Sequence, residues 1–473
     1  MNNIELDFLK SAVAFDSEVF SNAKVLEWID QRRADVYAKI EQVPLNELKK
    51  WKMDSDSACI THVSGGFFSI EGVSVRTDWG NLPGWDQPII NQPEIGYLGF
   101  LAKKINGVLH VLVQAKIEPG NVNVVQISPT LQATKSNYRQ LHKGKRPRYL
   151  EYFNGERAVV LLLDQLQSEQ GARFLKKRNR NMIVLVPPDE EVEVTSDYAW
   201  MTIGQVKRLM SEDNVVNMDS RTVLSGITFG SYSVQVLESL FALDDCERDK
   251  KYMLSSALTN DLGFHDFKEI LSWITRLKSI YELVVEKKDV ARLEGWSCAD
   301  GVISRNDGKY FSVIGVRVSI DNREVVSWDQ PMVKPAQEGL IAFIVRPVDG
   351  VFHFLVQAKL EAGNFDIIEL APTVQCLTGN YRTGYNEYSV PYINDVLNTK
   401  PENILYSSMQ SEEGGRFYHE QNRNMIVKVD EDFPLEVEEN YCWMTLNQIL
   451  RFIEFNNYLN IGARNLISSI TFE

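Results

Sequence analysis

Apolar and polar positions follow the same order twice along this chain. Residues 6–43 and 248–287 are largely polar with apolar residues at helical spacing, which predicts a helical segment in each place. Short stretches of alternating apolar and polar residues follow and predict strands. Asn106-Gly107 and Asp349-Gly350 separate such stretches and predict tight hairpins. Residues 164–177 are predicted to be helical, and residues 181–186 to form a strand.

These patterns recur because the sequence itself is repeated. WDQPII at 85–90 returns as WDQPMV at 328–333, VQAKIEPGN at 113–121 as VQAKLEAGN at 356–364, and NRNMIV at 179–184 unchanged at 422–427. The offset, 243 positions from Trp85 to Trp328, holds from about Ile60 to the C-terminus. The chain is therefore a tandem duplication. We expect an α+β fold with one repeat in residues 1–230, another in residues 231–473, and a boundary near 231–250.

Charge and cysteine content narrow the class of protein. The net charge of −14 argues against a nucleic-acid-binding role. The five cysteines are scattered and never spaced as CxxC, which indicates free thiols of a reducing compartment. No apolar run is long enough to cross a bilayer and no secretory signal is evident, so we expect a cytoplasmic protein without a membrane partner.

A polar face runs along the strand HVLVQAKIE. His110, Gln114, Lys116 and Glu118 share that face, and the second copy keeps the same residue types. A solvated sheet face with a Lys–Glu pair is the simple interpretation. Because all four residue types are retained, we favour the wall of a polar cleft. The Gly-Asn that follows, Gly120-Asn121, is either a structural turn or a ligand contact.

The copies differ at other polar positions. KKRNRN at 176–181 is the densest basic cluster, and it suits either a diphosphate or a solvated helix end. In the second copy it becomes HEQNRN, and VNMDSR at 216–221 becomes LNIGAR. This asymmetry predicts one working site and one degenerate site. Dinucleotide, Walker, serine-elbow and zincin motifs are not found in the sequence, and the histidines lack metal-ligand spacing.

Taken together, WDQP, VQAKxEPGN, SPTLQAT, LQSEQGxRF, KRNRNMIV and VNMDxR resemble the NDP-hexose 2,3-dehydratases along nearly the whole chain. The resemblance implies two Nudix-like domains, a homodimer, a nucleotide-sugar pocket in each domain, and dTDP-4-keto-6-deoxyglucose as substrate. It also implies a dTDP-3,4-diketo-2,6-dideoxyhexose product, which a downstream 3-ketoreductase would consume. The Nudix hydrolase box is absent: the remnants SEQG and SEEG carry too few acids to bind Mg²⁺.

Dehydration next to a ketone requires a base, an acid and a donor to the developing oxyanion, but no redox cofactor and no obligatory metal. The expected catalytic residues are Glu118, Lys116 and His110. The expected substrate-binding residues are Trp85, Gln87, Gln114, Asn121, Thr130, Tyr138, Lys177, Arg178, Asn179, Arg180 and Arg221. The expected residues of a second pocket are Trp328, Lys359, Glu361, Asn364, Tyr381, Arg423 and Arg464. No metal ligand and no cofactor are predicted.

Two other functions stay open from the sequence. A nucleotide-sugar pyrophosphatase of the Nudix type is disfavoured by the missing carboxylate helix. A non-catalytic nucleotide-sugar binding protein is disfavoured because Lys116 with Glu118, and Lys359 with Glu361, are both kept. The sequence does not identify the final deoxysugar.

Overall fold

The computed structural model describes residues 3–80, 82–138, 145–243, 245–321, 325–378 and 390–473. The first copy contains α1 Ile4–Ala12, α2 Asn22–Asp35, β1 Ala38–Val43, β2 Trp51–Met53, β3 Ile60–His62, β4 Ser69–Thr77, β5 Gly84–Asn91, β6 Tyr97–Ile105, β7 Val108–Ile117, β8 Val125–Ser128, β9 Leu131–Ala133, α3 Lys135–Tyr138, α4 Leu150–Phe153, β10 Val160–Ser168, β11 Arg178–Leu185, β12 Tyr198–Thr202, α5 Ile203–Leu209 and α6 Met218–Ser225.

The second copy repeats this order. It contains α7 Val234–Phe241, α8 Arg248–Leu258, α9 Phe267–Ile280, β13 Leu283–Lys288, β14 Trp296–Ala299, β15 Val302–Arg305, β16 Phe311–Ile320, β17 Ser327–Pro335, β18 Gly339–Val348, β19 Val351–Lys359, β20 Glu369–Ala371, β21 Val374–Leu377, α10 Ile393–Leu397, β22 Ile404–Ser411, β23 Gln421–Lys428, β24 Tyr441–Thr445, α11 Leu446–Ile453 and α12 Ile461–Ser468. Short 3₁₀ helices lie at Leu45–Glu47, Val290–Arg292 and Pro401–Asn403.

Each copy is built on a seven-stranded mixed sheet. In the first copy the order is β10-β11-β6-β7-β12, with β8 on β7 and β9 on β6, and β11 runs parallel to β6. In the second copy β22-β23-β18-β19-β20 repeats the arrangement, with β21 on β18 and β24 on β19. The predicted mixture of helices and strands in two tandem repeats is confirmed.

Both predicted hairpins are confirmed. Asn106 and Gly107 have φ values of 50° and 79°, and Asp349 and Gly350 have 48° and 79°. Two successive positive φ angles are what a two-residue type I′ turn requires. These turns join β6 to β7 and β18 to β19. They therefore set the register of β7 and β19, the strands that lead to Glu118 and Glu361.

Three helical predictions need correction. The segment 6–43 leaves the helical conformation after Asp35 and ends in β1, and the segment 248–287 ends in β13. The prediction of a helix over 164–177 is wrong, because Val160–Ser168 pairs with β11 and Ser168 lies opposite Arg178. Beyond Ser168 the chain turns through a loop in which Glu169 N donates to Lys177 O at 2.9 Å. Pairing with a neighbouring strand outweighed the local apolar spacing.

The two copies exchange strands. Each copy also has a smaller sheet, β2–β5 in the first and β14–β17 in the second, and each is completed by a strand from the other copy. Strand β1 pairs with β16 from Ala38↔Ile320 to Val43↔Gly315, and β13 pairs with β4 from Leu283↔Thr77 to Lys288↔Gly72. The repeats are therefore interlocked.

A shared core strengthens that interlock. One hydrophobic cluster contains residues of both repeats, including Phe229 and Phe472, whose ring centroids lie 5.2 Å apart. Helices α6 and α12 pack against each other within it. Among the described residues, no helix is both long and apolar enough to cross a membrane.

Candidate acid–base site

A cavity of about 550 Å³ lies where the two copies meet. Its first-copy walls come from the end of β7, from β9, and from the loop between β10 and β11. Its second-copy walls come from β17 and from the loop after β22. Polar groups that line its interior are Lys116, Glu118, Gln132, Glu169, Lys177, Asn179, Asp219, Glu413 and Arg416. Neither repeat alone encloses this space.

Glu118 and Lys116 form the first part of the cavity's polar wall. Both are almost fully buried, and Lys116 Nζ lies 4.0 Å from Glu118 Oε1. Gln132 Nε2 donates to the same oxygen at 2.9 Å. Glu118 follows β7 and Gln132 lies on β9, so the two strands fix this pair in the cavity. A carboxylate held in this way is suited to proton abstraction.

Glu413 approaches the same point from the second copy. Its Oε1 accepts a hydrogen bond from Gly415 N at 3.0 Å. A Cβ placed on Gly415 would collide with Glu413 Oε1 and would lie 3.6 Å from Glu118 Oε1, so the two carboxyl groups meet beside this glycine. Burial, followed by the charge of Glu118, raises the pKa of Glu413 to about 8.

Asp219 lies at the start of α6, where Asn217 caps the helix by accepting from Ser220 N at 2.8 Å. Burial raises the pKa of Asp219 well above its ordinary value, and the charges of Glu413, Glu169 and Glu118 add to the effect. Acids packed this closely cannot all be ionised at once. The cavity therefore holds both proton acceptors and proton donors near neutral pH.

Lys177 and Asn179 anchor the opposite side. Lys177 Nζ donates to Glu94 O and to Asn179 Oδ1, the latter at 2.7 Å. Asn179 Nδ2 in turn donates to Glu169 Oε1 at 2.6 Å. Burial lowers the pKa of Lys177 to about 8, although the charge of Glu169 opposes that shift. Lys177 thus belongs to a fixed network that borders the cavity.

The lining also includes an aromatic and cationic group of side chains from the small sheets. Its aromatic residues are Trp51, His62, Phe67, Phe68 and Trp328, and its cations include the exposed Lys49 and Lys50. Trp51 packs on Phe68 with ring centroids 4.8 Å apart, and its Nε1 donates to Asp329 O at 2.7 Å. Aromatic faces beside exposed cations suit a base and a diphosphate. We call this group the aromatic wall.

The structure brings together only some of the predicted site residues. Glu118, Lys116, Lys177 and Asn179 line the cavity, and Trp328, predicted for a second pocket, lines this one. The exchange of strands explains this placement. Because each small sheet is completed by a strand of the other copy, Trp328 of the second copy lines the same cavity as Glu118 of the first. Trp85 and Gln87 are not among the lining residues; Trp85 Nε1 donates to Gln87 Oε1 at 2.7 Å.

His110 does not line the cavity. It lies near the start of β7, where its Nε2 contacts Ser17 Oγ at 2.9 Å and its Nδ1 contacts Val108 O at 3.0 Å. The second copy matches this, because His353 Nε2 accepts from Phe264 N at 2.9 Å. Histidine is kept at both positions because it ties the preceding segment to the large sheet.

Other retained polar residues also have structural partners. Asn121 Nδ2 donates to Val124 O at 2.9 Å, and Thr130 Oγ1 accepts from Leu101 N at 2.8 Å. Gln114 lies opposite Tyr198 on β12, and the Tyr138 ring packs against Tyr97 at 5.4 Å. None of these four predicted residues lines the cavity, so they support its strands and loops from outside.

The three arginines among the predicted substrate-binding residues contact protein groups instead. Arg178 lies over the Phe365 ring at 4.9 Å, and Arg180 forms a two-point ion pair with Asp164 at 2.7 and 2.6 Å. Arg221 is 2% exposed and donates from Nη2 to Ser411 O of the other copy. Each guanidinium is thus engaged with protein groups, and none lines the cavity.

The predicted second-pocket residues partly mirror the first side. Lys359 Nζ donates to Gln375 O at 2.7 Å and lies 4.0 Å from Glu361 Oε1. Asn364 Nδ2 donates to Lys359 O at 3.3 Å, Arg423 is exposed, and Arg464 donates from Nη2 to Ser168 O, as Arg221 does to Ser411. Tyr381 lies outside the described residues.

Glu413, Asp219, Gln132 and Arg416 are among the site residues that the sequence analysis missed, as are Glu169 and most of the aromatic wall. The signal available for two of them was divergence between the copies: Asp219 is replaced by Gly462, and Glu413 stands where the first copy has Gln170. Cavity residue Lys177 likewise becomes Glu420. Placing Glu413 beside Glu118 required the exchanged arrangement of the copies, which no local pattern encodes.

Buried carboxyl and ammonium groups of both copies line one cavity. The fold and the cavity together therefore define a duplicated α+β protein with a candidate acid–base site. The chain belongs to the NDP-hexose 2,3-dehydratase family, whose model matches residues 22–227 and again 267–470. The chain is 43% identical over 463 residues to a dTDP-4-dehydro-6-deoxy-alpha-D-glucopyranose 2,3-dehydratase of Saccharopolyspora spinosa, covering 98% of this chain and 94% of that protein. Proteins of the same name from Streptomyces violaceoruber and Amycolatopsis orientalis are 40% and 38% identical, over 94% and 97% of this chain and 95% and 92% of their own lengths.

Proposed function

We propose that this chain removes the C2 hydroxyl of dTDP-4-keto-6-deoxyglucose to give a dTDP-3,4-diketo-2,6-dideoxyhexose. The observation that carries the proposal is the single cavity in which Glu118 and Lys116 lie together with second-copy acids and an aromatic wall. The relatives named above supply the substrate class. The reaction breaks a C–O bond, so the protein is a lyase.

The cavity's charge distribution supports one orientation of the substrate. The sugar faces Glu118 and Lys116, and the thymine and diphosphate lie along the aromatic wall with Lys49 and Lys50. Aromatic stacking and charge-assisted contacts hold the nucleotide, whereas the polar interior is reserved for the sugar. In this orientation Arg178, Arg180 and Arg221, which were expected to bind the substrate, do not contact it.

The chemistry then follows from the C4 ketone, which acidifies the C3 hydrogen. Glu118 takes that proton, and Lys116 is placed to donate to the C4 oxygen as negative charge develops on it. Loss of the C2 hydroxyl from the enolate gives an enol that ketonises to the diketone. Each step uses side chains of this chain, and none requires a redox cofactor.

The proposal extends to organisation. The two repeats, residues 1–230 and 231–473, are domains of one shared fold, which the identical strand order of their mixed sheets supports. That this fold is Nudix-like rests on the family resemblance. The family resemblance supports a homodimer, a cytoplasmic location and a 3-ketoreductase that consumes the diketone. Light scattering of the purified chain tests the dimer.

Product analysis tests the function. The purified chain is incubated with dTDP-4-keto-6-deoxyglucose, with and without EDTA, and the nucleotide sugars are followed by mass spectrometry and NMR. We expect loss of one water with the dTDP group intact and no effect of EDTA. Release of dTMP and a sugar phosphate would instead identify a pyrophosphatase, and binding without turnover would identify a non-catalytic protein. Loss of turnover in EDTA, restored by Mg²⁺, would contradict the metal-independent mechanism.

A further inference from the structure

Glu413 is the cavity acid contributed by the second copy, and it differs from its counterpart in chemistry alone. Gln170 occupies the equivalent position in the first copy, with nearly the same shape but no ionisable proton. Gly415, two residues on, is likewise replaced by Ala172. The second-copy segment 413–415 therefore carries both an acid and the space beside it.

That space is what brings Glu413 to Glu118. Because Gly415 has no Cβ, Glu413 Oε1 can approach its backbone N–H, and Glu118 Oε1 borders the same position at 3.6 Å. Two carboxyl groups on the same side of one glycine face a common volume inside the cavity. If two adjacent carbon atoms of the substrate lie in that volume, one of the two carboxyl groups faces each carbon.

We infer that Glu413 is a second catalytic residue of this site, which protonates the departing C2 hydroxyl while Glu118 removes the C3 proton. The inference rests on the proposed function, which by itself does not name the acid. It also makes the active site chemically composite, since the base belongs to the first copy and the acid to the second.

The proton and electron balance closes without another reactant. Glu118 takes the C3 proton, and the C3–H electron pair forms the enolate double bond between C3 and C4. As the C4 carbonyl re-forms, a C2–C3 double bond forms, the C2–O bond breaks, and the Glu413 proton joins the hydroxyl to make water. The enol at C3 then loses its hydroxyl proton and C2 gains one, which restores both side chains to their starting states with one water lost.

Asp219 is a weaker choice for this role. Both residues line the cavity, but Asp219 is 2% exposed at the start of α6, whereas Glu413 is half-buried and lies beside Glu118 at Gly415. A group that protonates the substrate must contact it, which favours Glu413. Burial and the charges of Glu413, Glu169 and Glu118 raise the pKa of Asp219, and we assign no step of the reaction to it.

Glu413→Gln tests the inference, because glutamine is the residue that this position has in the other copy. Dehydration by the variant and exchange of the C3 hydrogen in D₂O are both followed by NMR. We expect kcat for dehydration to fall by about 10²–10⁴-fold while C3 exchange continues. Glu118→Gln should lose both, and Glu413→Asp should recover part of the dehydration rate. Matching thermal unfolding of all three variants verifies their folding.

The pH profile adds a second readout. With Glu413 required in its protonated form, kcat/KM of the parent should decline as pH rises through about 8, and that limb should be missing in Glu413→Gln. Dehydration by Glu413→Gln within about threefold of the parent would overturn the inference, as would loss of C3 exchange together with dehydration. If the parent chain neither exchanges nor dehydrates, the proposed function itself fails, and the inference fails with it.

Discussion

Glu369 is a buried carboxyl group at the position that Gln126 holds in the first copy. Ser168 Oγ donates to Glu369 Oε2 at 2.8 Å, as Ser411 Oγ donates to Gln126 Oε1 at 2.9 Å. Burial raises the pKa of Glu369 to about 8 from an ordinary 4.5. Between those values the folded state holds more protons than the unfolded state, so this group's stabilisation is complete below the lower value and is lost as pH rises through the upper one.

We therefore expect Glu369→Gln to raise the free energy of unfolding by roughly 1–3 kcal/mol near pH 8 and to change it little near pH 4.5. Urea unfolding at several pH values measures both. A variant with the same pH slope as the parent would show that Glu369 does not titrate in this window.

Gly415 allows a second residue-scale prediction. An added methyl group would collide with Glu413 Oε1, so Gly415→Ala should displace the Glu413 carboxyl group. Misplacing a catalytic group by about 1 Å costs on the order of 10²-fold in rate, and we expect a loss of kcat of that order. Ala172→Gly, the matched change on the other side, should leave kcat nearly unchanged. Equal effects of the two substitutions on steady-state kcat would show that Gly415 does not position the Glu413 carboxyl group.

Sequence alone identified part of this site. Glu118, Lys116, Lys177 and Asn179 were predicted and line the cavity. Strand alternation pointed to the first two, and the basic cluster at 176–181 to the other two. Retention in both copies was misleading for His110: that residue type is kept because it holds the fold together. Residues such as Glu413, whose chemistry differs between the copies, make the two sites unequal. Their neighbours could not be predicted, because those contacts join residues that are distant in the sequence.

At the scale of elements, the loops after β7 and β19 connect the copies. Gly120 N donates to Gly414 O at 2.7 Å, and Gly363 N donates to Gly171 O at 2.7 Å. A Cβ on Gly120 would overlap Phe417 O, and one on Gly363 would overlap Phe174 O. Close backbone approach, without a positive φ, therefore explains glycine at both positions.

Gly120→Ala and Gly363→Ala should each lower the free energy of unfolding by about 3 kcal/mol, since backbone atoms cannot yield to the added methyl group. Chemical denaturation of the two variants gives the comparison. A cost below about 1 kcal/mol for either would mean that the loops rearrange cheaply.

The elements themselves were predictable to different degrees. The hairpins followed from Asn106-Gly107 and Asp349-Gly350 because a two-residue turn is a local choice. Strand β10 was mistaken for a helix because its pairing with β11 is a tertiary contact. The exchange of β1 and β13 was also beyond prediction, because an alternating strand pattern does not specify which copy supplies the partner.

At the scale of the whole molecule, interlocking predicts that the halves do not work apart. Residues 1–230 lack β13, which completes their small sheet, and residues 231–473 lack β1. Each half expressed alone should dehydrate at least about 10³-fold more slowly than the full chain, and co-expression should restore activity. Independent activity of residues 1–230, measured in the same assay, would contradict a cavity built by both copies.

The central claim is that one of two related acid–base pairs does the chemistry. The most direct measurement is the single-turnover dehydration rate of Glu118→Gln beside that of Glu361→Gln, with both variants verified as folded. Only Glu118 shares its cavity with Glu413 and Asp219, so Glu118→Gln should lose about 10²–10⁴-fold and Glu361→Gln should lose little. Equal losses from the two substitutions would contradict the account and indicate two working sites.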